Sequence, residues 1–136
     1  MKTSHLALIV LTAGITFSLV AQAQTLSKAE YQAEKDKISA TYKTERAACN
    51  SDKGNAKEIC VAQAKGKERV DKANLADRYK PTEKTRHNAR MAKIDADHAV
   101  AKERCDDRPR AAKEPCEAEA KAAHTKAKAE ANALKP

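Results

Sequence analysis

Two matching segments decide the fold of this chain: CNSDKGNAKEIC at residues 49–60 and CDDRPRAAKEPC at residues 105–116. Each segment places ten residues between two cysteines, and a shift of 56 residues along the sequence superposes both cysteine pairs. The same shift gives 12 identities over the 36 positions from Glu30 to Lys65. Because both cysteine pairs fall in register, we interpret the sequence as a duplicated unit.

The residues before the first segment predict a long amphipathic helix. Ser27 is followed three residues later by Glu30, which is the spacing of a capping box. Large residues then recur at intervals of seven, four and seven residues, with Lys35 and Glu45 at the intervening positions. This three-four spacing places them on one narrow stripe of a helix. This stripe consists of Tyr31, Ile38, Tyr42 and Cys49.

The first segment itself predicts a loop and the start of a second helix. Gly54 suits the left-handed backbone conformation that ends a helix. Asn55 and Glu58 have the spacing of another capping box, so we expect the second helix to begin there. It is expected to end near Tyr79, because Pro81 follows and the residue before a proline is biased away from helix.

The second unit repeats this plan with one disturbance. Its stripe is formed by His87, Met91, Ile94, His98, Ala101 and Cys105. Pro115 stands where the first unit has Ile59, and proline is tolerated only in the first turn of a helix. We therefore expect the fourth helix to begin at about Pro115 and to be shortened at its start. The Ala- and Lys-rich end, residues 126–136, is expected to fray.

The N-terminus predicts a cleavable export signal. A positive charge at Lys2 precedes an apolar run from Leu6 to Val20, which is shorter than the roughly 20 residues of a membrane-spanning helix. Ala21-Gln22-Ala23 has the small-x-small pattern of a signal peptidase site. We therefore expect residues 1–23 to be a signal peptide, cleaved between Ala23 and Gln24. The mature chain is expected to be periplasmic and to have no transmembrane segment.

The four cysteines are expected to form disulfide bonds, because an exported chain with an even number of cysteines meets an oxidising compartment. Four cysteines allow three pairings. We favour Cys49–Cys60 with Cys105–Cys116, because two antiparallel helices joined by a short loop bring the end of one helix to the start of the next. Each bond is expected to stabilise the fold by about 3 kcal/mol.

The composition excludes a thick globular core. From residue 24 onward the chain has 25 alanines but only nine Leu, Ile and Val residues, with one Met and three Tyr. Ala, Lys, Glu, Gln and Arg, which dominate, are the strongest helix formers. We therefore predict an all-α protein of two disulfide-stapled antiparallel helical hairpins, at residues 24–80 and 81–136. The hairpins are expected to form an elongated or loosely packed four-helix array.

No catalytic or cofactor-binding pattern stands out in the sequence. A redox enzyme of the thioredoxin type requires C-x-x-C, and the ten-residue spacing does not provide it. His87 and His98 lie 11 residues apart, about 16 Å along a helix, which is too far for one metal ion. His124 has no obvious companion in the sequence. We therefore expect no enzyme activity, no cofactor and no metal site.

The basic balance of the chain points to anionic partners. The sequence contains 27 Lys and Arg residues against 19 Asp and Glu residues. Coulomb attraction would draw such a chain to anionic envelope components or to other envelope proteins. Specific nucleic-acid binding is not expected, because the chain lacks an aromatic platform and a base-reading motif. A charge that only keeps the protein soluble is an equally good interpretation.

GNAKEIC at residues 54–60 and YKPT at residues 79–82, set among Ala/Lys/Glu-rich helices, resemble a group of small exported proteobacterial proteins of unknown function with paired cysteines. These proteins are often labelled TolA-like cell-envelope proteins. The resemblance implies a periplasmic location and supplies no activity and no site residues. TolA itself is similar only in its long Ala/Lys-rich helical region, so a function in the Tol system is not implied.

The sequence thus favours a non-enzymatic periplasmic envelope or stress-associated helical protein that acts through a basic surface. The first alternative is a holdase-like periplasmic chaperone that cradles unfolded clients between its helices. Such a chaperone would need exposed large apolar residues, in which the sequence is poor. The second alternative is a metal-handling protein that uses the histidines.

Overall fold

The structure, a computed structural model, describes residues 26–134, and the expected cleavage site at Ala23 and Gln24 lies outside this range. Four α-helices follow one another along the described residues. They are α1 (Lys28–Ala48), α2 (Gly54–Tyr79), α3 (Glu83–Asp106) and α4 (Arg110–Ala133), with a short 3-10 turn, Cys49–Ser51, after α1. The prediction of an all-α fold is confirmed.

The helices pack in the order in which they occur along the chain. α1 packs against α2, α2 against α3 and α3 against α4, and the α2–α3 contact is the most extensive. Within the described residues, α1 has no close backbone contact with α3 or α4, and α2 has none with α4. The first hairpin (α1–α2) and the second hairpin (α3–α4) are therefore joined through α2 and α3. No helix between residues 26 and 134 is long and apolar enough to cross a membrane.

Small residues form the contact between α2 and α3. Gly66 of α2 is buried, and a Cβ atom at this position would lie only 2.9 Å from the Cβ of Ala96. This close approach explains a glycine inside a long helix, where it costs up to about 1 kcal/mol relative to Ala. The buried apolar residues are few, as the composition predicts. Within the described residues they are Cys49, Ala64, Leu75, Ala92, Ala96, Cys105 and Ala131.

The start of α1 and the end of α2 lie where the sequence predicts them. The Ser27 hydroxyl accepts a hydrogen bond from the Glu30 backbone N–H at 3.2 Å, and the Glu30 carboxylate accepts one from the Ser27 N–H at 2.8 Å. This is the expected capping box. α2 ends at Tyr79, ahead of Pro81, also as expected.

The predicted capping box at Asn55 is wrong. α2 begins one residue earlier, at Gly54, and Lys53 before it makes no side-chain capping bond. Gly54 has the expected positive φ, +56°, but as the first residue of α2 and not as the end of α1. The Asn55 amide instead donates to the backbone carbonyl of Glu103 at 2.6 Å. That carbonyl lies in the last turn of α3, where carbonyl groups have no partner within the helix.

The prediction that the fourth helix begins at about Pro115 is also wrong. α4 begins at Arg110, 56 residues after the first residue of α2, so both units keep the same register. Pro115 lies inside α4, where it removes one backbone N–H from the helix ladder. The next residue, Cys116, is bonded to Cys105 of α3, and this link holds the first turns of α4 in place.

The expected fraying of the C-terminal residues is wrong as far as the structure describes them. α4 continues to Ala133. Ala131 in its last turn is only 4% exposed, so burial adds to the helix propensity of the Ala- and Lys-rich sequence.

Candidate functional site

The four cysteines form two disulfide bonds at equivalent places. Cys49–Cys60 joins the end of α1 to α2, and Cys105–Cys116 joins α3 to α4. In each pair the two Cα atoms are 5.6 Å apart. No cysteine is free among residues 26–134. The predicted pairing is confirmed, and the cysteines have a structural role.

A cleft with three basic side chains lies beside the first disulfide. It has a volume of about 290 Å³ and opens between α1 and α2. Lys43 and Arg46 come from α1 and Lys57 from α2. We call this site the cationic cleft. Its other lining residues are Tyr42, Ala47, Asn50 and Val61.

The local structure explains why these three cations converge. Lys43 and Arg46 are three residues apart and are therefore neighbours on one face of α1. Lys57 lies in the first turn of α2, where free backbone N–H groups add partial positive charge. The Cys49–Cys60 bond fixes the distance between the two helix ends. The cationic cleft is therefore positioned by covalent and helical geometry.

The charges of the cationic cleft are not compensated by its neighbours. No acidic residue lines the cleft, and none of its three cations forms an ion pair with another described residue. Converging unpaired cations create an attractive potential for an anion. The Tyr42 hydroxyl and the Asn50 amide supply additional hydrogen-bond donors. The arrangement suits a phosphate, sulfate or carboxylate group.

Unpaired cations are common on this molecule, and the cationic cleft is distinguished by the absence of an acidic residue from its lining. Of the 27 Lys and Arg residues of the chain, five form ion pairs within the described part. These are Lys67, Lys72, Arg86, Lys93 and Lys113. Lys67, Lys93 and Arg104 also share a concave surface, but Asp97 lines it with them. The cleft of Lys43, Arg46 and Lys57 differs because no acidic residue lines it.

The equivalent surface of the second hairpin is neutralised. Lys113 occupies the position that Lys57 has in the first hairpin. Its Nζ atom lies 2.6 Å from Oδ1 of Asp106 and 3.9 Å from Oε1 of Glu117. The hydrogen bond to Asp106 raises the pKa of Lys113. Both acidic residues stand where the cationic cleft has uncharged residues. The first hairpin therefore offers an anion a better site than the second.

The structure brings together two of the three histidines considered in the sequence. The rings of His98 and His124 stack with centroids 4.2 Å apart and an angle of 7° between their planes. Nε2 of His124 lies 2.8 Å from Oδ1 of Asp95. Burial lowers the pKa of His98, and the neighbouring His124 lowers it further. His87 lies three helical turns before His98 on α3.

The stacked histidines have the geometry of a helix contact. The lone pair of an imidazole nitrogen lies in the ring plane, so two parallel rings do not direct their nitrogens to one point. Within residues 26–134, no group of three or more His, Cys, Asp or Glu side chains is arranged to hold a metal ion. We therefore interpret His98, His124 and Asp95 as part of the α3–α4 interface.

The sequence interpretation missed the cationic cleft and the partner of His124. A signal for the cleft was present, because the 56-residue shift aligns uncharged residues of the first unit with Asp106 and Glu117. The pairing of His124 with Asp95 joins residues 29 positions apart on two helices, and only the packing shows it.

No protein-family model, curated protein or solved structure matches the chain.

Proposed function

We propose that this chain is an exported, non-enzymatic envelope or stress-associated protein that binds an anionic component of the cell envelope through its basic surface. The cationic cleft is the centre of that surface. The observation that supports the proposal is the convergence of Lys43, Arg46 and Lys57 in a cleft without an acidic lining residue. Phosphate-bearing lipids, lipopolysaccharide and acidic envelope proteins all present the required negative charge.

The disulfide bonds support the exported location. Such bonds persist in oxidising compartments, of which the bacterial periplasm is one. Export predicts that the mature protein starts at Gln24 and that its mass is four hydrogens below that of the reduced chain, as expected for two disulfide bonds. Mass spectrometry of the exported protein checks both points. A start at Met1 or a free thiol would contradict this part of the proposal.

A vesicle-binding experiment tests the role of the cationic cleft. The mature protein is mixed with phosphatidylcholine vesicles that either lack or contain phosphatidylglycerol, at low and at moderate salt. A basic residue close to an anionic membrane surface contributes about 1 kcal/mol, and salt screens this attraction. We therefore expect binding only to the anionic vesicles, and Lys57→Gln should weaken it about fivefold.

Lys113→Gln is the matched control, because it removes the same charge at the equivalent position of the second hairpin. Lys113 is already paired with Asp106, so its loss should weaken vesicle binding less than about twofold. Equal effects of both variants would show that net charge alone drives binding, and this would refute a specific cleft. A pull-down from envelope extract at the same two salt concentrations then identifies the partner.

The alternative role as a holdase-like chaperone has less support. Such a protein needs a broad exposed apolar surface for its clients. Leu134, with 65% of its surface exposed, is the one large apolar residue exposed among residues 26–134. Suppression of client aggregation by the oxidised protein would favour the chaperone over the anion-binding protein.

A further inference from the structure

The acidic residues nearest in sequence to the cationic cleft are held on other surfaces. Oε1 of Glu45 lies 3.3 Å from Nζ of Lys67 on α2. Glu58, which follows Lys57 in the sequence, lines a separate concavity between α2 and α3. Asp52 is exposed between α1 and α2 and does not line the cleft. An anion in the cleft would therefore meet cations and no lining carboxylate.

The equivalent positions of the second hairpin carry a different charge. The 56-residue shift retains two of the three cations and places an acidic residue at three uncharged positions of the cleft. The retained cations are Lys102 and Lys113, and the added acids are Glu103, Asp106 and Glu117. Three cations without a lining acid are therefore not a requirement of the repeated fold.

The donors of the cationic cleft suit a phosphate monoester better than a phosphate diester. At pH 7 a monoester carries about 1.5 to 2 negative charges on three terminal oxygens, because its second pKa is about 6. A diester has a single negative charge and one terminal oxygen fewer. Lys43, Arg46 and Lys57 come from two helices, and the Tyr42 hydroxyl and the Asn50 amide add neutral donors. The additional charge and oxygen of a monoester thus have partners in the cleft.

The size of the cationic cleft restricts how much of a ligand it holds. Its volume of about 290 Å³ lies at the lower limit of small-ligand sites, roughly 300–1,000 Å³. The cleft opens to solvent, because four of its lining residues are exposed, namely Lys43, Arg46, Ala47 and Asn50. The cleft therefore accommodates a phosphate and the group that bears it, and the remainder of a larger ligand would lie outside.

We infer that the cationic cleft selects a terminal phosphate monoester over a phosphate diester. The inference rests on the proposed function, because it assigns a ligand class to the same site. The monoester is either a lipid head group or a soluble phosphate ester. Residues 24–80 contain no histidine, the side chain that ordinarily titrates between pH 5 and 8. A change of affinity over that range would therefore come from the phosphate of the ligand.

A nuclear magnetic resonance titration of the mature protein at low salt tests the selectivity in solution. Glycerol 3-phosphate is the monoester probe, and glycerophosphoglycerol is the diester probe. At pH 7.5 we expect the monoester to bind about fivefold more tightly, because it brings an additional negative charge to exposed cations. At pH 5 its affinity should approach that of the diester, because it has taken up its second proton. The affinity of the diester should stay constant.

A vesicle experiment distinguishes the two sources of the monoester. Phosphatidylcholine vesicles contain either phosphatidate or phosphatidylglycerol, in proportions that give the same surface potential. Preference for phosphatidate without preference for glycerol 3-phosphate would identify a lipid head group, and the reverse would identify a soluble ester. Equal affinity for monoester and diester in both experiments would overturn the inference and leave the proposed anion binding intact. Absence of binding to every anionic probe would refute the proposed function itself.

Asn50→Asp introduces into the cationic cleft the acid that the second hairpin has at this position, Asp106. Because Asp106 lies 2.6 Å from Lys113, we expect the new carboxylate to neutralise Lys57 and to weaken glycerol 3-phosphate binding at least about fivefold. Asn88→Asp is the matched control, since it makes the same change at an exposed position of α3, and its effect should be less than about twofold. Circular dichroism confirms that both variants fold. Equal losses in both would overturn the inference, because net charge would then determine the affinity.

Discussion

The two hairpins have the same backbone plan but different contacts between their helices. In both, a disulfide bond holds Cα atoms 5.6 Å apart, and the second helix of each begins at equivalent residues. The first hairpin stacks Tyr31 on Tyr79, with ring centroids 4.4 Å apart. The second stacks His98 on His124 at 4.2 Å. The two hairpins thus share the disulfide and the register, whereas the contacts along their helices differ.

The surfaces of the two hairpins differ as well. Lys57 of the first hairpin is unpaired in the cationic cleft, and Lys113 at the equivalent position is held by Asp106. One repeat can therefore be used as the internal control for the other. Features that the two hairpins share are those that the fold requires, and features that differ are candidates for a binding role. Variants at equivalent positions of the two hairpins distinguish these two cases.

The largest expected effect comes from removing a disulfide bond. Cys49→Ala with Cys60→Ala, and Cys105→Ala with Cys116→Ala, should each lower the free energy of unfolding by about 3 kcal/mol, because each bond restricts the unfolded chain. The second pair should cost more helicity, since Pro115 already weakens the start of α4.

Urea unfolding monitored by circular dichroism measures both losses. In the variant without the second disulfide, Pro115→Ile should restore helicity, because it supplies the residue that the first hairpin has at this position, Ile59. Equal loss of helicity in the two disulfide variants would mean that Pro115 does not weaken α4.

The next effect concerns the contact that joins the hairpins. Gly66→Leu should destabilise the protein by about 1 to 3 kcal/mol, because a side chain cannot fit against Ala96 without moving α2 from α3. Ala122 is the equivalent residue of the second hairpin and is exposed, so Ala122→Leu should change stability by less than about 0.5 kcal/mol. Thermal unfolding of both variants provides the comparison. Similar melting temperatures would show that the α2–α3 contact is looser than the structure indicates.

Much of the fold follows from local sequence signals. The Ser27–Glu30 capping box, the end of α2 at Tyr79 and the cysteine pairing are determined by residues close in sequence or related by the repeat. At both wrongly predicted helix starts, a contact with another helix outweighs the local sequence signal. At Asn55, tertiary packing offers a better partner than the local cap, and at Pro115 a covalent bond one residue away outweighs the local preference.

The candidate sites were less predictable, because they depend on which helix faces meet. The number of basic residues is visible in the sequence, but their convergence requires the α1–α2 hairpin geometry. No periodicity within a helix contains that information.

A charge transplant tests the surface half of the comparison. Asp106→Asn with Glu117→Val gives the second hairpin the uncharged residues of the cationic cleft and releases Lys113. Binding to anionic vesicles should become tighter, since each added net charge near the membrane contributes about 1 kcal/mol.

The control for this transplant is Asp36→Asn with Glu119→Val, which changes the net charge equally at two exposed positions of α1 and α4. The transplant should strengthen vesicle binding more than the control. If both variants bind equally well, the position of the added charge does not matter, and the difference between the hairpins has no role in binding.

The smallest expected effect is a pH dependence confined to the second hairpin. The pKa of His98 is lowered by burial and by His124, and slightly by Lys102, with smaller opposing effects from the Ala120 backbone and from Asp95. The unfolded chain therefore takes up the proton more readily than the folded one. Stability should therefore fall as the pH drops through the unfolded pKa of about 6.5.

His98→Tyr introduces the residue that the first hairpin has at the equivalent position, Tyr42, and removes this titration. We expect the melting temperature of the natural protein to fall between pH 7.5 and pH 5.5, a window above the ordinary pKa range of carboxylates. The His98→Tyr variant should show a smaller fall over the same window. An unchanged pH dependence in that variant would exclude His98 as its cause, and the stacked histidines would then be no more pH-sensitive than the stacked tyrosines.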